Sequence, residues 1–327
     1  MRKCHAITAF SGTILLAGAL SAQITFDPAV GYVVGVEPSG VSVADFDGDG
    51  KPDIAVTSDV PDKVSTLRNS GNGSFAAAVS VALGGGTSPH GVAAADFDGD
   101  LDVDLVVALK NIDSIQLLIN KAGSFTAGAV TLANGTLPRD VVVGDLDKNG
   151  LPDVVTSNRD SDDVSVLLNS GAVLAPGTPY AAGLEPRGIA LGHFNGDTFL
   201  DLAVAAHDSR QIGVLLNDGD GTFAAPIALS LGSELRPTGV VAADLDDDGL
   251  VDIAASASGN ALNVVTVFRR TGAGTFAPFK SFAVGGFNPE GIVAGDFDVD
   301  GLLDLATSDQ DSDQVSVLRN LGSLSFD

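Results

Sequence analysis

The chain has 327 residues, 45% of them apolar and 18% charged, with a formal net charge of −25. That apolar content excludes a disordered chain and suffices for a large buried core, while the acidic balance excludes nucleic acid, whose phosphates need a basic footprint. The single cysteine, Cys4, excludes a disulfide framework.

The N-terminus reads Met1-Arg2-Lys3, an apolar stretch from about Ala6 to Leu20, and then Ser21-Ala22. This is the pattern of a secretory signal peptide, residues 1–22, cleaved after Ala22 and taking Cys4 with it. The apolar run is short for a bilayer span and is broken by Ser11, Gly12 and Thr13, so the mature chain, 23–327, is expected to be secreted without a membrane span. That destination covers the extracellular medium, the cell surface or the periplasm.

The next informative stretch is Asp45-Phe46-Asp47-Gly48-Asp49-Gly50-Lys51-Pro52-Asp53, with carboxylates at loop positions 1, 3, 5 and 9 and glycine at 6. Ca²⁺ takes six to eight oxygens, and alternate side chains of a tight loop plus the position-7 carbonyl can converge on one point. The bidentate Glu of an EF-hand is missing at position 12, which is Val56 inside the run Ile54-Ala55-Val56. The loop therefore joins strands, not helices. It recurs from Asp96, Asp145, His193, Asp244 and Asp296, in steps of 51, 49, 48, 51 and 52 residues. More than half of the 42 acidic residues lie in these loops, so the charge is mainly ion-binding apparatus.

A period near 50 residues indicates four-stranded blades or a solenoid. Each repeat reads as four short strands: in the second, Gly91 to Ala95 enters the loop, Leu105 to Ala108 leaves it, Ile115 to Ile119 follows a polar link, and a last strand ends at Leu132. A bulky residue precedes each fourth strand, as Phe75, Phe125, Leu174, Phe223, Phe276 and Phe326, and is read as inter-blade packing. The mature N-terminus supplies a fourth strand around Ile24 to Val34, and the C-terminus lacks one. Pairing the two closes a ring and removes an open edge. The expected fold is all-β: one domain, a β-propeller of four-stranded blades, six in number, or seven if the chain is part of a longer protein.

These runs, Ala44-Asp45-Phe46-Asp47-Gly48-Asp49-Gly50, then Pro52-Asp53-Ile54-Ala55-Val56, and later Val166-Leu167-Leu168-Asn169, resemble FG-GAP and VCBS repeats, similar to the calcium-binding blades of integrin α-subunit propellers. The resemblance implies one Ca²⁺ per loop on one face of the disc, about five in all. Carried over residue by residue, it implies ligands at Asp45, Asp47, Asp49, Lys51 and Asp53 in the first loop and at Asp145, Asp147, Asn149, Leu151 and Asp153 in the third. The fifth and sixth loops supply Asp244, Asp246, Asp248, Leu250 and Asp252, and Asp296, Asp298, Asp300, Leu302 and Asp304. Lys51, Leu151, Leu250 and Leu302 contribute carbonyls. The second loop keeps Asp96, Asp98, Asp100, Asp102 and Asp104 but carries Leu101 at the glycine position, so its turn is strained or different. The fourth, with His193, Asn195 and Thr198, is expected to be empty. No basic residue of the loops is expected to offset their carboxylates.

On the opposite face, a frame of Pro-x-Gly or nearly so enters each repeat, with a variable middle residue: Ser39, His90, Arg139, Arg187, Thr238 or Glu290. The links between second and third strands on that side add others, among them Arg159, His207 and Asp208. Variation in a fixed frame is what a binding face shows, and His90, Arg139, Arg187 and His207 are the expected partner-binding residues. No zinc spacing, nucleophile elbow or phosphate loop is present. The expectation is a monomeric, non-catalytic protein or cell-surface interaction and adhesion module, its partner an extracellular protein or glycan. Trp is absent and only Tyr32 and Tyr180 are available for sugar stacking, which ranks a lectin second and a polysaccharide lyase or hydrolase third.

Overall fold

Short runs of β-branched and small aliphatic residues, cut by Gly-, Asn- and Asp-rich turns, pair as antiparallel ladders. In the computed structural model, which describes residues 28–171 and 173–327, they form six consecutive antiparallel sheets and one two-stranded ribbon. Blade 1 comprises β1 (Val36–Ala44), β2 (Asp53–Val60), β3 (Lys63–Leu67) and β4 (Val79–Ala82), and blade 2 comprises β5 (Pro89–Ala95), β6 (Asp104–Leu109), β7 (Ser114–Lys121) and β8 (Ser124–Leu132). Blade 3 is β9 (Pro138–Gly144), β10 (Asp153–Asn158), β11 (Asp163–Leu167) and β12 (Thr178–Ala181); blade 4 is β13 (Pro186–Gly192), β14 (Asp201–Ala206), β15 (Gln211–Leu215) and β16 (Ile227–Ser230). Blade 5 has β17 (Arg236–Ala243), β18 (Asp252–Gly259), β19 (Leu262–Phe268), the ribbon β20 (Arg270–Gly272) and β21 (Thr275–Phe276), and an outer β22 (Lys280–Ala283). Blade 6 has β23 (Pro289–Gly295), β24 (Asp304–Asp309) and β25 (Gln314–Leu318). This is the expected all-β, six-bladed propeller. No helix among the described residues is long and apolar enough to cross a membrane.

The core is distributed over the seams between blades. Five apolar clusters join blades 1 and 2, 2 and 3, 3 and 4, 4 and 5, and 5 and 6, with residues such as Leu105, Leu202 and Ile253 wholly buried. The recurring aromatic belongs to these seams: Phe125 meets Phe46 edge-on at 5.4 Å, Phe223 meets Tyr180 at 5.5 Å and Phe326 meets Phe282 at 5.0 Å, each pair across a blade boundary. The packing reading holds.

The sixth seam, between blades 6 and 1, is open among the described residues. Val41 is 65% exposed, whereas its counterparts Val92, Val141, Ile189, Val240 and Ile292 are at most 9% exposed. Val315 is 67% exposed, against at most 7% for Val64, Ile115, Val164, Ile212 and Val264. A cleft of about 470 Å³ runs between these faces. Of the expected closing strand, Ile24–Asp27 lie outside the described residues, as does the whole signal peptide, and Pro28–Gly35 form no strand on β25. The segment is instead tied to blade 1. Tyr32 packs edge-on against Phe75 at 5.6 Å while its hydroxyl accepts the Phe75 N–H, and the Val34 carbonyl accepts the Ser65 hydroxyl.

Candidate functional site

Each acidic loop connects the first and second strands of its blade, and the same turn is built five times. The position-6 N–H donates to the position-1 carboxylate: Gly50 to Asp45 (2.7 Å), Leu101 to Asp96 (3.0 Å), Gly150 to Asp145 (3.0 Å), Gly249 to Asp244 (2.8 Å) and Gly301 to Asp296 (3.0 Å). Position 6 is left-handed in all five, including Leu101 at φ 74°, so the second loop keeps the turn and bears the strain of a side chain there. Leu101 is 88% exposed and gains nothing by packing.

The ninth residue has a second duty. Asp53, Asp104, Asp153, Asp201, Asp252 and Asp304 are at most 1% exposed. One oxygen of each accepts the N–H of loop position 2 and the other the N–H at the end of the third strand, as Phe46 and Asn69 do for Asp53. Asp201 does this in the loop expected to hold no ion, so the buckle is independent of metal. Burial pushes Asp104 and Asp252 up to about 6, against the backbone N–H bonds and with neighbouring aspartates adding to the rise. A divalent cation beside them would reverse the sign.

The donor set fits a calcium ion. Carboxylate oxygens of Asp45, Asp47 and Asp53, of Asp96, Asp98 and Asp104, of Asp145, Asp147 and Asp153, and of Asp244, Asp246 and Asp248 lie within 4.8 Å of one another. One buried oxygen each of Asp47, Asp145, Asp246 and Asp298 has no hydrogen-bond partner, an uncompensated cost that a cation would remove. These four oxygens belong to the first, third, fifth and sixth loops. The fourth loop closes on itself: His193 Nδ1 donates to the position-7 carbonyl of Phe199 (2.8 Å), Asn195 donates to Asp197, and Lys148 of the third loop stands 4.2 Å over the Phe199 ring.

The expectation that nothing basic offsets the loops is corrected by the structure. Lys51 pairs with Asp49 at 2.6 Å, Arg68 approaches Asp47 at 3.6 Å, and Arg269 pairs with Asp246 and, at 2.7 Å, Asp248. The arginines come from the end of the third strand. That position is Arg68, Arg269 and Arg319 beside the three loops with a full aspartate set and a position-6 glycine, but Ile119, Leu168 and Leu216 beside the others. The pattern spans two segments over twenty residues apart, which loop spacing alone does not display.

On the opposite face the Pro-x-Gly frame opens every innermost strand, and there the ladder slips register, between Pro89 and Val92 in β5 and between Pro186 and Ile189 in β13, for example. Proline has no N–H for the ladder, and the bulge re-aims the variable side chain. The residue before the proline takes φ of 49–59° in five blades, at Glu37, Ser88, Leu137, Glu185 and Asn288. Glycine follows because a Cβ on Gly91 or Gly188 would come within 2.8 Å of the carbonyl of Arg139 or Thr238 in the next blade. In blade 3 the glycine is replaced by Asp140, whose buried carboxylate accepts the Ile189 N–H of blade 4 at 3.0 Å.

The result is a mouth of about 310 Å³ at the propeller axis, lined by all six variable residues: Ser39, His90, Arg139, Arg187, Thr238 and Glu290. Glu290 reaches across the ring to Arg139 at 3.0 Å and Arg187 at 3.7 Å, and Arg187 also donates to Glu185 at 2.9 Å. Burial pushes Glu185 up, but Arg187 and Arg159 outweigh it and hold its carboxyl down at about 2. Burial and then the Arg139 charge push His90 down to about 4, and its Nδ1 faces the Arg139 carbonyl at 3.0 Å. His207 does not line the mouth. It sits outside, 3.0 Å from Asp208 and 3.7 Å from Glu185.

No curated protein matches the chain. The fold is shared with a protein from Lactobacillus plantarum (18% identity, TM-score 0.67, covering 90% of this chain and 84% of that one). It is shared also with an Agrocybe aegerita lectin that recognises non-reducing terminal N-acetylglucosamine (19%, 0.59, 90% and 79%). The periplasmic gluconolactonase of Pseudomonas aeruginosa is similar again (18%, 0.61, 88% and 83%). At these identities the likeness is one of fold. The profile of the FG-GAP-like repeat matches residues 45–107, 102–156, 193–255 and 248–307, more than two thirds of the chain and all six of its acidic loops, the fourth among them. With blades, seams and loops built alike from these repeats, the chain belongs to the FG-GAP-like repeat family.

Proposed function

We propose that this protein is a secreted, calcium-stabilised binding module, without catalytic activity, that takes an extracellular protein or glycan at the mouth of its channel. The observation that carries the reading is the convergence of all six variable frame residues on that mouth. Frame positions before and after them are constrained by the bulge and by close approach of the next blade, so variation is concentrated where it meets solvent. Calcium on the far face has the structural part: each ion would be held by a loop between the two innermost strands and would engage carboxylate oxygens that lack a hydrogen-bond partner among the described residues. His90 faces a backbone carbonyl and the arginines are engaged with carboxylates, an arrangement suited to recognition.

The test is a glycan array and a panel of extracellular matrix proteins probed with wild-type protein and with a variant carrying alanine at His90, Arg139 and Arg187, each with and without Ca²⁺. Binding should be lost in the variant while its melting in Ca²⁺ stays close to wild type. Binding that persists in the variant and fails on substitution of exposed outer strands would place the ligand elsewhere.

A further inference from the structure

In a chain of net charge −25, the mouth brings two of the few arginines together. Arg139 and Arg187 come from blades 3 and 4, and the one side chain that pairs with both is Glu290 of blade 6. Asp140 also lines the mouth, but its carboxylate is spent on the backbone N–H groups of Ile189 and Val141. Arg187 is shared with Glu185, yet its buried Nε has no partner among the described residues, so guanidinium capacity exceeds what the two carboxylates take up. Two planar donor forks facing one carboxylate is the arrangement by which arginine selects carboxylates. Glu290 thus occupies the seat of a ligand group.

We propose that the mouth binds a sugar acid, a hexuronate residue whose carboxylate takes the place of Glu290 between Arg139 and Arg187. This rests on the reading of the mouth as the binding face. Three features select the class. The cavity, about 310 Å³, suits a single sugar-sized ring. Its remaining wall carries the hydroxyl of Ser308, which accepts the Gly291 N–H and keeps its own proton to donate, and the backbone of Gly188, partners for sugar hydroxyls. Neutral sugars are commonly held by aromatic faces, yet Trp is absent and both tyrosines, Tyr32 and Tyr180, are committed to phenylalanines in the blade seams. Ion pairing supplies what stacking does not.

The experiment titrates glucuronate, galacturonate, glucose and glucose 6-sulfate into the full chain in Ca²⁺, read by calorimetry or protein NMR shifts. The expected result is binding of a uronate but not of glucose or the sulfate. Glu290→Gln should tighten uronate binding about tenfold by removing the internal competitor, and Arg139→Ala or Arg187→Ala should weaken it about tenfold or more. Should an alanine variant fail to fold, Arg139→Lys, which keeps the charge but loses the fork, should still weaken it. Glucose or the sulfate binding as well as the uronates, with loss on Arg139→Ala, overturns the carboxylate class and leaves the mouth as the binding face. Uronate binding that is indifferent to Arg139, Arg187 and Glu290 overturns the mouth itself. No uronate binding by wild type or Glu290→Gln overturns the proposal.

Discussion

At the scale of single residues, charge is balanced by partners the loops do not contain. Arg269 pairs with both Asp246 and Asp248, so it offsets charge in the fifth loop without calcium and would compete with a bound ion. Arg269→Leu should therefore lower the melting temperature in chelator and enlarge the calcium-induced rise relative to wild type. Equal rises in the two proteins would show that the guanidinium does not compete. On the other face, His90 is held at about 4 against an ordinary 6.5. Between those values the unfolded chain binds a proton that the folded one refuses, so stability falls as pH drops from about 6.5 to 4 and levels off below. The full loss is roughly 3 kcal/mol. Replacing His90 by Gln should flatten this part of the stability profile in saturating Ca²⁺, measured by urea unfolding at a series of pH values. A wild-type slope in the variant would assign the effect to other groups.

At the scale of elements, the blades are strapped together by a residue at the end of each third strand. The side chain of Asn120 donates to the Phe46 carbonyl of blade 1, Asn169 to Phe97, Asn217 to Leu146 and Asn320 to Leu245, and in blade 5 the Arg270 guanidinium donates to the His193 carbonyl of blade 4. Among the described residues Asn69 has no such partner across the open seam, and it bonds Pro52 of its own blade. Asn169→Ala, which orphans a buried carbonyl, should cost about 2 kcal/mol in urea unfolding, and Asn69→Ala roughly half of that or less. Equal costs would mean that blade 1 is strapped to blade 6 in solution. The loops, the four-strand repeat, the seam phenylalanines and the six frame residues were all legible in the sequence, because each is a local pattern repeated at a fixed interval. Asn169 stood in the recurring run Val166-Leu167-Leu168-Asn169, yet its bond spans 72 residues and only the ring brings Phe97 to it. The double duty of the ninth aspartate, the pairing of Glu290 with Arg139 and the place of His207 outside the mouth were hidden for the same reason.

At the scale of the whole molecule, five seams are packed among the described residues and the sixth leaves Val41, Val43, Val293 and Val315 exposed there. An apolar pair of faces beside an unpaired strand edge is a site of aggregation unless it is covered. Tyr32 stands in the run Tyr-x-x-Gly-x-Glu-Pro-x-Gly, as Tyr180 does at the end of blade 3, which is the phase of an outer strand. Deleting Ile24–Val34 should remove the Tyr32 and Val34 ties to blade 1, lower the melting temperature and promote association in sedimentation. A monomeric deletion variant with unchanged melting would show that the segment has no part in the ring.

On the function proposed above, the acidic loops would be calcium sites of unequal quality and calcium would be a folding ligand. Calcium sites of extracellular modules have Kd of about 10⁻⁴–10⁻³ M, and tenfold above such a Kd each loop would contribute roughly 1.4 kcal/mol by linkage, so several together would approach the stability of a marginal domain. The most direct measurement is calorimetric melting across a calcium series for wild type, Asp49→Ala in the first loop and Asp197→Ala in the fourth. The melting temperature should climb through the millimolar range and fall in chelator, with Asp49→Ala blunting the climb and Asp197→Ala leaving it near wild type. A melting temperature independent of calcium, or equal blunting by the two substitutions, would contradict the account.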